Sequence, residues 1–272
     1  AAGRWDRWEQ AQRRATELNP RDANLFLDLR GNTLWKLRRY EEATVAYGRA
    51  LALAPDMQDA RLARAYVFIQ WQGRLDSLRA ALESDSVHYT LFGSALYWRV
   101  RLALLERKPD RTLALLPRPG EVVFEMQDFL EPARLYAARA QVLRGDAAAA
   151  HAAFAGALQQ SDSGLRLRPD DFRLHASRGL ALAGLGRSTD ARREADWLEA
   201  SGGPIEMDER AAVLAQAGFA DAAIEALERI LAGPSWYTSA PMLRLDPIWD
   251  PIRNDPRFKA LLVKYAVPKP VR

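Results

Sequence analysis

The sequence contains no cysteine among its 272 residues. This absence excludes disulfides, thiolate metal sites and cysteine nucleophiles together. Strand-type runs rich in Val, Ile and Thr are nearly absent as well, and residues 122–124 form the only short candidate. No apolar run approaches the roughly 18 residues that are needed to span a bilayer. These absences favour an almost wholly helical chain without a membrane span.

The abundant residues also favour helix, because Ala, Leu and Arg dominate and all three are strong helix formers. Hydrophobic residues make up 49% of the chain and charged residues 27%, with a formal net charge of +4. Arg far outnumbers Lys, which can indicate a nucleic-acid partner. The Arg residues are scattered among Asp and Glu, however, so the sequence argues against nucleic acid as the partner.

One repeated unit is clearest between Asn24 and Met57. Its second helix is expected to carry small and aromatic residues at regular spacing: Tyr40, Ala43, Tyr47 and Ala50. Pro55 ends the unit, because proline cannot continue a helix. The pattern predicts that Gly31 of the first helix packs against Ala43, which lets the paired helices approach closely.

This unit resembles the tetratricopeptide repeat (TPR) family, whose pattern has a small residue at position 8, Ala at 20, an aromatic at 24, Ala at 27 and Pro at 32. Those positions are occupied by Gly31, Ala43, Tyr47, Ala50 and Pro55. Positions 4 and 7 depart from the pattern, with Leu27 in place of Trp and Arg30 in place of Leu. The resemblance implies an all-α fold: a right-handed α-solenoid of about six TPR helix pairs.

The same phase continues along the chain. Position 20 falls at Trp8, Ala43, Leu78, Ala150, Ala191 and Ala223. Two of the intervals are too long, and they predict a degenerate repeat at about 88–116 and an insertion at about 159–168. The first unit begins in its second helix, which leads us to expect further repeats upstream in a longer protein.

The superhelix is expected to cover residues 1–232, and residues 233–272 differ from it. Pro247, Pro251 and Pro256 divide this stretch into short turns before a final helix. Its apolar residues predict a C-terminal capping segment over the last repeat: Leu243, Leu245, Ile248, Trp249, Phe258 and Leu261. This tail resembles the ending of TPR regions in bacterial signalling proteins, which follow a serine/threonine kinase, a nucleotide cyclase or a winged-helix DNA-binding domain.

A search for chemistry finds no catalytic constellation. His88, His151 and His175 lie far apart, and none has a partner at metal-ligand spacing such as HExxH. The Gly-Leu-Gly at 184–186 lacks the Gly-Lys-Ser/Thr ending of a phosphate-binding loop and follows no strand. We therefore expect no enzymatic activity, no metal site and no cofactor.

The resemblance does indicate a binding surface, because the first helices of TPR units line a concave groove. The residues of this chain at groove positions are Asp28, Asn32, Trp35 and, in the next unit, Arg64. Some TPR domains clamp a terminal carboxylate with Lys, Asn and Arg, and Asn32 and Arg64 match that set. Asp28 is acidic where Lys is needed, so a peptide bearing a basic group fits at least as well.

These observations predict a protein–protein interaction scaffold that binds a protein or peptide, as the docking or sensory region of a larger bacterial signalling protein. The alternative is an Arg-rich helical repeat that binds nucleic acid, which requires Arg on the first helices and steep salt dependence. Arg13, Arg14, Arg192 and Arg193 fall instead on second helices. The sequence does not fix the compartment, and we favour the bacterial cytoplasm over the periplasm.

Overall fold

The computed structural model describes residues 2–83, 89–90, 93–235 and 237–266. Helices dominate this part of the chain, and the fold class predicted from the sequence, an all-α solenoid of helix pairs, is confirmed. The first helix, α1 (Ala2–Leu18), precedes six consecutive pairs in the described residues. None of the described helices is long and apolar enough to cross a membrane.

Each pair has a first helix on the inner side of the stack and a second helix that packs against it. The first pair is a π-helix (Leu25–Asn32), continued by α2 (Thr33–Lys36), with α3 (Tyr40–Leu53). The others are α4 (Gln58–Gln72) with α5 (Asp76–Leu82), α6 (Ala95–Leu105) with α7 (Pro109–Leu115), α8 (Ala133–Arg144) with α9 (Ala147–Leu167), α10 (Phe172–Gly184) with α11 (Ser188–Ser201), and α12 (Pro204–Gln216) with α13 (Ala220–Ala232). Three short helices follow: α14 (Ala240–Leu245), a 3-10 helix (Pro247–Ile252) and α15 (Pro256–Lys264).

Two small hairpins interrupt this pattern. Strands β1 (Tyr89–Thr90) and β2 (Gly93–Ser94) pair antiparallel before α6. Strands β3 (Val123–Glu125) and β4 (Leu130–Pro132) pair antiparallel before α8, with a 3-10 turn at Pro119–Glu121 ahead of them. The strand candidate at residues 122–124 therefore overlaps β3, whose hairpin is too short to form a layer of its own.

The first pair is held together by an aromatic residue in the space that a glycine leaves. A Cβ added to Gly31 would overlap the ring of Tyr47, which is fully buried. The three atoms nearest to that Cβ all belong to Tyr47, so the missing side chain makes room for a large ring. The predicted packing of Gly31 against Ala43 stays a prediction.

The turns inside the pairs fall into two groups. Four of them use a glycine in the left-handed region, at φ between 72° and 87°: Gly73, Gly145, Gly186 and Gly218. The first and third pairs place arginines there instead, Arg38 at φ 59° and Arg107 at φ 54°. A left-handed backbone costs a residue with a Cβ roughly 1–2 kcal/mol, so these two arginines must gain contacts that a glycine cannot make.

The C-terminal residues follow two courses. The sequence led us to expect a cover over the last helix pair, and Phe258 and Leu261 of α15 do lie buried in one apolar cluster with Leu227 of α13. Residues 233–252, which we call the inner segment, run in another direction. Their helix α14 packs on α4, in the second pair, and their 3-10 helix packs on α12, in the sixth.

Candidate functional site

The structure describes the side chains of three of the four residues that the sequence placed on one groove surface, and it puts Asn32, Trp35 and Arg64 in different surroundings. Trp35 is buried, with 2% of its surface exposed, and its ring meets that of Tyr66 edge-on at 5.4 Å between centroids. Trp35 is therefore not part of an open groove surface, contrary to the expectation from the sequence. It lies in one buried apolar cluster with Tyr66 of α4 and Met242 of α14.

Asn32 and Arg64 make different contacts from Trp35 and from each other. Asn32 is half-buried, and its Oδ1 accepts a hydrogen bond of 2.7 Å from the Tyr47 hydroxyl, inside the first pair. Arg64 is exposed on α4 and borders a cleft whose other walls include Leu51 of α3 and Ala80 of α5. The side chain of Asp28 lies outside the described residues.

The inner faces of the first helices enclose a cavity of about 110 Å³. The helices α4, α6, α8, α10 and α12 each contribute side chains, among them Tyr66, Arg101, Tyr136, Leu180 and Glu209. The β3–β4 hairpin adds Phe129 and Glu131, and the inner segment closes the remaining side with residues such as Tyr237, Asp246 and Trp249. The concave surface predicted for a partner is thus occupied by the chain's own inner segment.

Side chains of the first helices hold the backbone of the inner segment. Arg38 Nη1 donates a hydrogen bond of 2.9 Å to the carbonyl oxygen of Thr238, and Gln70 Nε2 donates one of 2.8 Å to that of Tyr237. Gln216, at the other end of the groove, donates to the carbonyl oxygen of Ile248. Three separate helix pairs therefore recognise main-chain groups of one short segment.

Two arginines hold its acidic side chains. Arg101 of α6 contacts Asp246 at 2.7 Å, and both side chains are largely buried. Burial alone would raise the pKa of Asp246, but the Arg101 guanidinium outweighs it and the pKa lies below its usual value. Arg107 binds Asp250 through two hydrogen bonds, of 2.9 and 2.6 Å. Arg107 is one of the two arginines with a left-handed backbone, and a glycine in its place would lose the ion pair with Asp250.

Arg38, the other left-handed arginine, joins the two ends of the stack. Its guanidinium donates to the carbonyl oxygens of Ile230 at 3.1 Å and Gly233 at 3.2 Å, at the C-terminal end of α13. A cation at this end also meets the negative pole of the helix dipole. Next to it, the Ser235 amide donates to the Lys36 carbonyl oxygen at 3.2 Å. The first and sixth pairs are therefore connected directly.

The hairpin side of the cavity carries a second group of charges. The Tyr136 hydroxyl donates to the Glu131 carboxylate, and Arg139 contacts the same carboxylate at 3.3 Å. The guanidinium of Arg139 also lies over the Tyr136 ring, 5.2 Å from its centroid. The Tyr237 hydroxyl of the inner segment donates to Asp128, in the hairpin loop, at 2.5 Å. The hairpin and the inner segment thus enclose the cavity together.

Two carboxylates of α12 remain on the cavity wall. Asp208 accepts hydrogen bonds from the hydroxyls of Thr238 and Ser235. Burial raises the pKa of Asp208 to about 6 despite these donors. Burial, with the carboxylates of Glu131 and Asp208 nearby, raises the pKa of Glu209 to about 8. Glu209 makes no hydrogen bond or ion pair with any residue that the structure describes.

Sequence reasoning also missed a charged contact between α10 and α11. His175 Nδ1 lies 2.7 Å from the Glu194 carboxylate, and its ring stacks on Trp197 at 3.7 Å between centroids. The two partners are 19 residues apart on different helices, so no local spacing signals the pair. Across the described residues, no group of three His, Asp or Glu side chains is placed to hold a metal ion.

Comparison with known proteins finds no matching family model and no matching curated protein. Solved structures with a similar fold include a tetratricopeptide repeat protein from Parabacteroides merdae, at 16% identity and a TM-score of 0.49, over 90% of this chain and 91% of that one. Naa15/Naa10 bound to HypK-THB matches at 14% identity and a TM-score of 0.33, over 96% of this chain and 39% of that one. YrrB, a TPR protein with an unusual peptide-binding site, matches at 15% identity and a TM-score of 0.27, over 94% and 99% of the two chains.

Proposed function

We propose that this chain is a TPR-type protein–protein interaction scaffold that acts by binding rather than by catalysis, as the docking or sensory region of a larger bacterial signalling protein. Its inner groove binds an extended or helical segment of a partner protein. The observation that supports this proposal is the inner segment itself, because the helix pairs hold it through its backbone carbonyls at Tyr237, Thr238 and Ile248.

The contacts of the inner segment indicate which segments the groove accepts. Hydrogen bonds to backbone carbonyls are available from any sequence, so they do not select side chains. Side-chain selection comes from Arg101 and Arg107, which bind carboxylates at Asp246 and Asp250. Trp249 lies between Asp246 and Asp250 in the sequence. Its side chain is buried and adds apolar area to the contact. A partner segment with two carboxylates about one helical turn apart and an aromatic residue between them meets all three requirements.

The charges on the outer helices favour a polypeptide over nucleic acid. Arg187 and Arg193 both pair with Asp190 on α11, at 2.7 and 3.0 Å, and Arg192 pairs with Asp196 at 2.8 Å. A guanidinium that already faces a carboxylate contributes little net positive field for a phosphate backbone. Much of the arginine excess of the sequence is thus paired with carboxylates of the same chain.

The proposal is tested by opening the covalent connection between scaffold and inner segment. A protease site is inserted between Gly233 and Pro234 of the full chain, and the purified protein is cleaved under native conditions. A fluorescent peptide with the sequence of residues 234–266 is then added. We expect it to exchange into the cleaved protein and not into the uncleaved one, where the tethered segment competes at an effective concentration in the millimolar range.

Two peptides control for specificity. A peptide with Asp246→Ala and Trp249→Ala should exchange at least about tenfold more weakly, because it loses a buried ion pair and an aromatic anchor. A scrambled peptide of the same composition should not exchange. If the scrambled peptide competes as well as the native one, or if no peptide enters the cleaved and still helical protein, the groove is not a peptide-binding surface.

A further inference from the structure

We propose that the inner cavity is a binding site for a small organic cation, an alkylammonium group on a short aliphatic chain. This inference goes beyond the proposed interaction function, because the site lies in the space enclosed between the first helices, the hairpin and the inner segment. It needs neither displacement of that segment nor a second protein.

Negative side chains outnumber positive ones around the cavity. Four carboxylates line it against two guanidiniums, and the four are Glu131, Asp208, Glu209 and Asp246. The guanidiniums of Arg101 and Arg139 are each taken up by one carboxylate, Asp246 and Glu131 respectively. The two carboxylates of α12 form no ion pair within the described residues, although the Arg38 guanidinium lies near enough to Asp208 to lower its pKa.

One of these two, Glu209, has no hydrogen-bond or ion-pair partner among the residues that the structure describes. Asp208 is stabilised by the hydroxyls of Ser235 and Thr238. Glu209 lines the cavity, and within the described part of the chain it forms neither a hydrogen bond nor an ion pair. A half-buried carboxylate without a partner is costly to ionise, so Glu209 holds a proton in the empty cavity, and a cation beside it can take the place of that proton.

The cavity also has an aromatic wall. Five aromatic rings besides Phe129 border the same space: Tyr66, Tyr97, Tyr136, Tyr237 and Trp249. The faces of such rings attract cations, most strongly where water is excluded. Aromatic rings combined with a free carboxylate suit an organic ammonium group better than a metal ion, for which multiple oxygen ligands are needed.

The size of the cavity restricts the ligand. About 110 Å³ corresponds to roughly four water molecules. That space accommodates a short chain such as propylammonium, whose alkyl part packs on the rings while its nitrogen donates to Glu209. The same chemistry is present at the tip of a lysine side chain, and the enclosure by the inner segment favours the free amine.

The protonation of the cavity supports the same conclusion. Burial raises the pKa of Glu209 to about 8 and that of Asp208 to about 6. Glu131 and Asp208 add negative potential at Glu209, and Arg101 and Arg139 only partly offset it. A bound ammonium lowers the pKa of Glu209, so binding near pH 7 expels a proton from the cavity.

The test is a calorimetric titration of the full chain with n-propylammonium chloride at pH 7, in two buffers with different ionisation enthalpies. We expect saturable binding with proton release, and no binding of n-propanol or propionate at the same concentrations. Glu209→Gln should weaken propylammonium binding at least tenfold. Glu225→Gln, the same substitution at an exposed position on α13, should leave the binding unchanged.

A second variant and a second ligand make the result decisive. Asp208→Asn should also weaken propylammonium binding, so the proposal can still be tested if the Glu209→Gln protein does not fold. Acetyl-lysine-amide bearing a free ε-ammonium separates the two sources, and tighter binding of this compound than of propylammonium would overturn the assignment to a free amine. The cation site itself is refuted if propylammonium does not saturate, or if Glu209→Gln and wild type bind it equally.

Discussion

Arg38 and Ile230 lie 192 residues apart in the sequence, yet the Arg38 guanidinium donates a hydrogen bond of 3.1 Å to the Ile230 carbonyl oxygen at the end of α13. The same side chain reaches the carbonyls of Gly233 and Thr238, and it is itself buried. The first and last helix pairs thus share one arginine, which connects the two ends of the stack to the inner segment that lies between them.

We predict different consequences of one substitution at two equivalent turns. Arg38→Gly relieves a left-handed backbone but removes a buried charged donor from three carbonyls, and each such hydrogen bond contributes about 1.5–3 kcal/mol. We expect a net loss of at least about 2 kcal/mol in the free energy of unfolding. Arg107→Gly relieves the same backbone at the expense of an exposed ion pair, which contributes about 0–1 kcal/mol. Denaturant unfolding should therefore show Arg107→Gly close to wild type, and equal effects would refute the role given to Arg38.

A second pair of substitutions tests the packing of the first helix pair. Gly31→Ala places a Cβ in the ring of Tyr47, and overpacking of this kind typically costs about 1–3 kcal/mol. Gly48→Ala, in the next helix, meets no atom within 4 Å and removes a helix-interior glycine. It should stabilise the protein by about 1 kcal/mol. Thermal unfolding of both variants shows whether a side chain is excluded only at position 31 or whether any substitution in this helix pair lowers the melting temperature.

The cavity carboxylates predict how stability changes with pH. Because the pKa of Glu209 is raised from 4.5 to about 8 by folding, the native protein holds a proton that the unfolded chain has released. Stability should therefore fall as the pH rises from about 4.5 to about 8, and level off above that. Glu209→Gln removes this titration, so its free energy of unfolding should decline less than that of wild type over the same window. A parallel decline in both proteins would show that Glu209 is ionised in the native state at neutral pH.

His175 gives a pH dependence of its own. Its two ring nitrogens face acceptors, the Glu194 carboxylate at 2.7 Å and the Pro169 carbonyl oxygen at 2.8 Å. Burial lowers the pKa of His175, but these acceptors outweigh it and the pKa lies above 6.5. The stabilisation is fully present below pH 6.5 and is lost as the pH rises through the raised pKa. His175→Gln should thus destabilise the protein more at pH 5.5 than at pH 8.5, whereas His151→Gln, at an exposed position, should have no effect at either pH.

The helix pairs could be predicted from the sequence because the signals that define them are local. Pro55 marks the end of a unit, Tyr47 is an aromatic packing residue and Gly186 marks a turn. Each of them acts on neighbours within about 35 residues. The contact between Gly31 and the Tyr47 ring was not predicted, because a pattern of small residues does not show which of them leaves room for a ring.

The closure of the groove could not be predicted in this way. Trp35 stands at a position that faces the groove of an open TPR stack, but here it is buried in a cluster that combines the first helix pairs with Met242, more than 200 positions later. The one local signal was the arginine at each of two turns where the other units have glycine. Arg38 and Arg107 occupy left-handed backbone that their side chains must compensate, and both reach the C-terminal part of the chain.

The position of the inner segment is the central claim, and a disulfide measures it most directly. The protein has no cysteine, so Lys36→Cys with Ser235→Cys introduces the only two thiols. The backbones of these residues are joined by a hydrogen bond of 3.2 Å, which brings their Cα atoms near the range that a disulfide spans. We predict that the pair oxidises rapidly in the native full-length protein and that Lys36→Cys with Leu167→Cys, at an exposed end of α9, does not. Equal, slow oxidation of both pairs would contradict an inner segment seated in the groove.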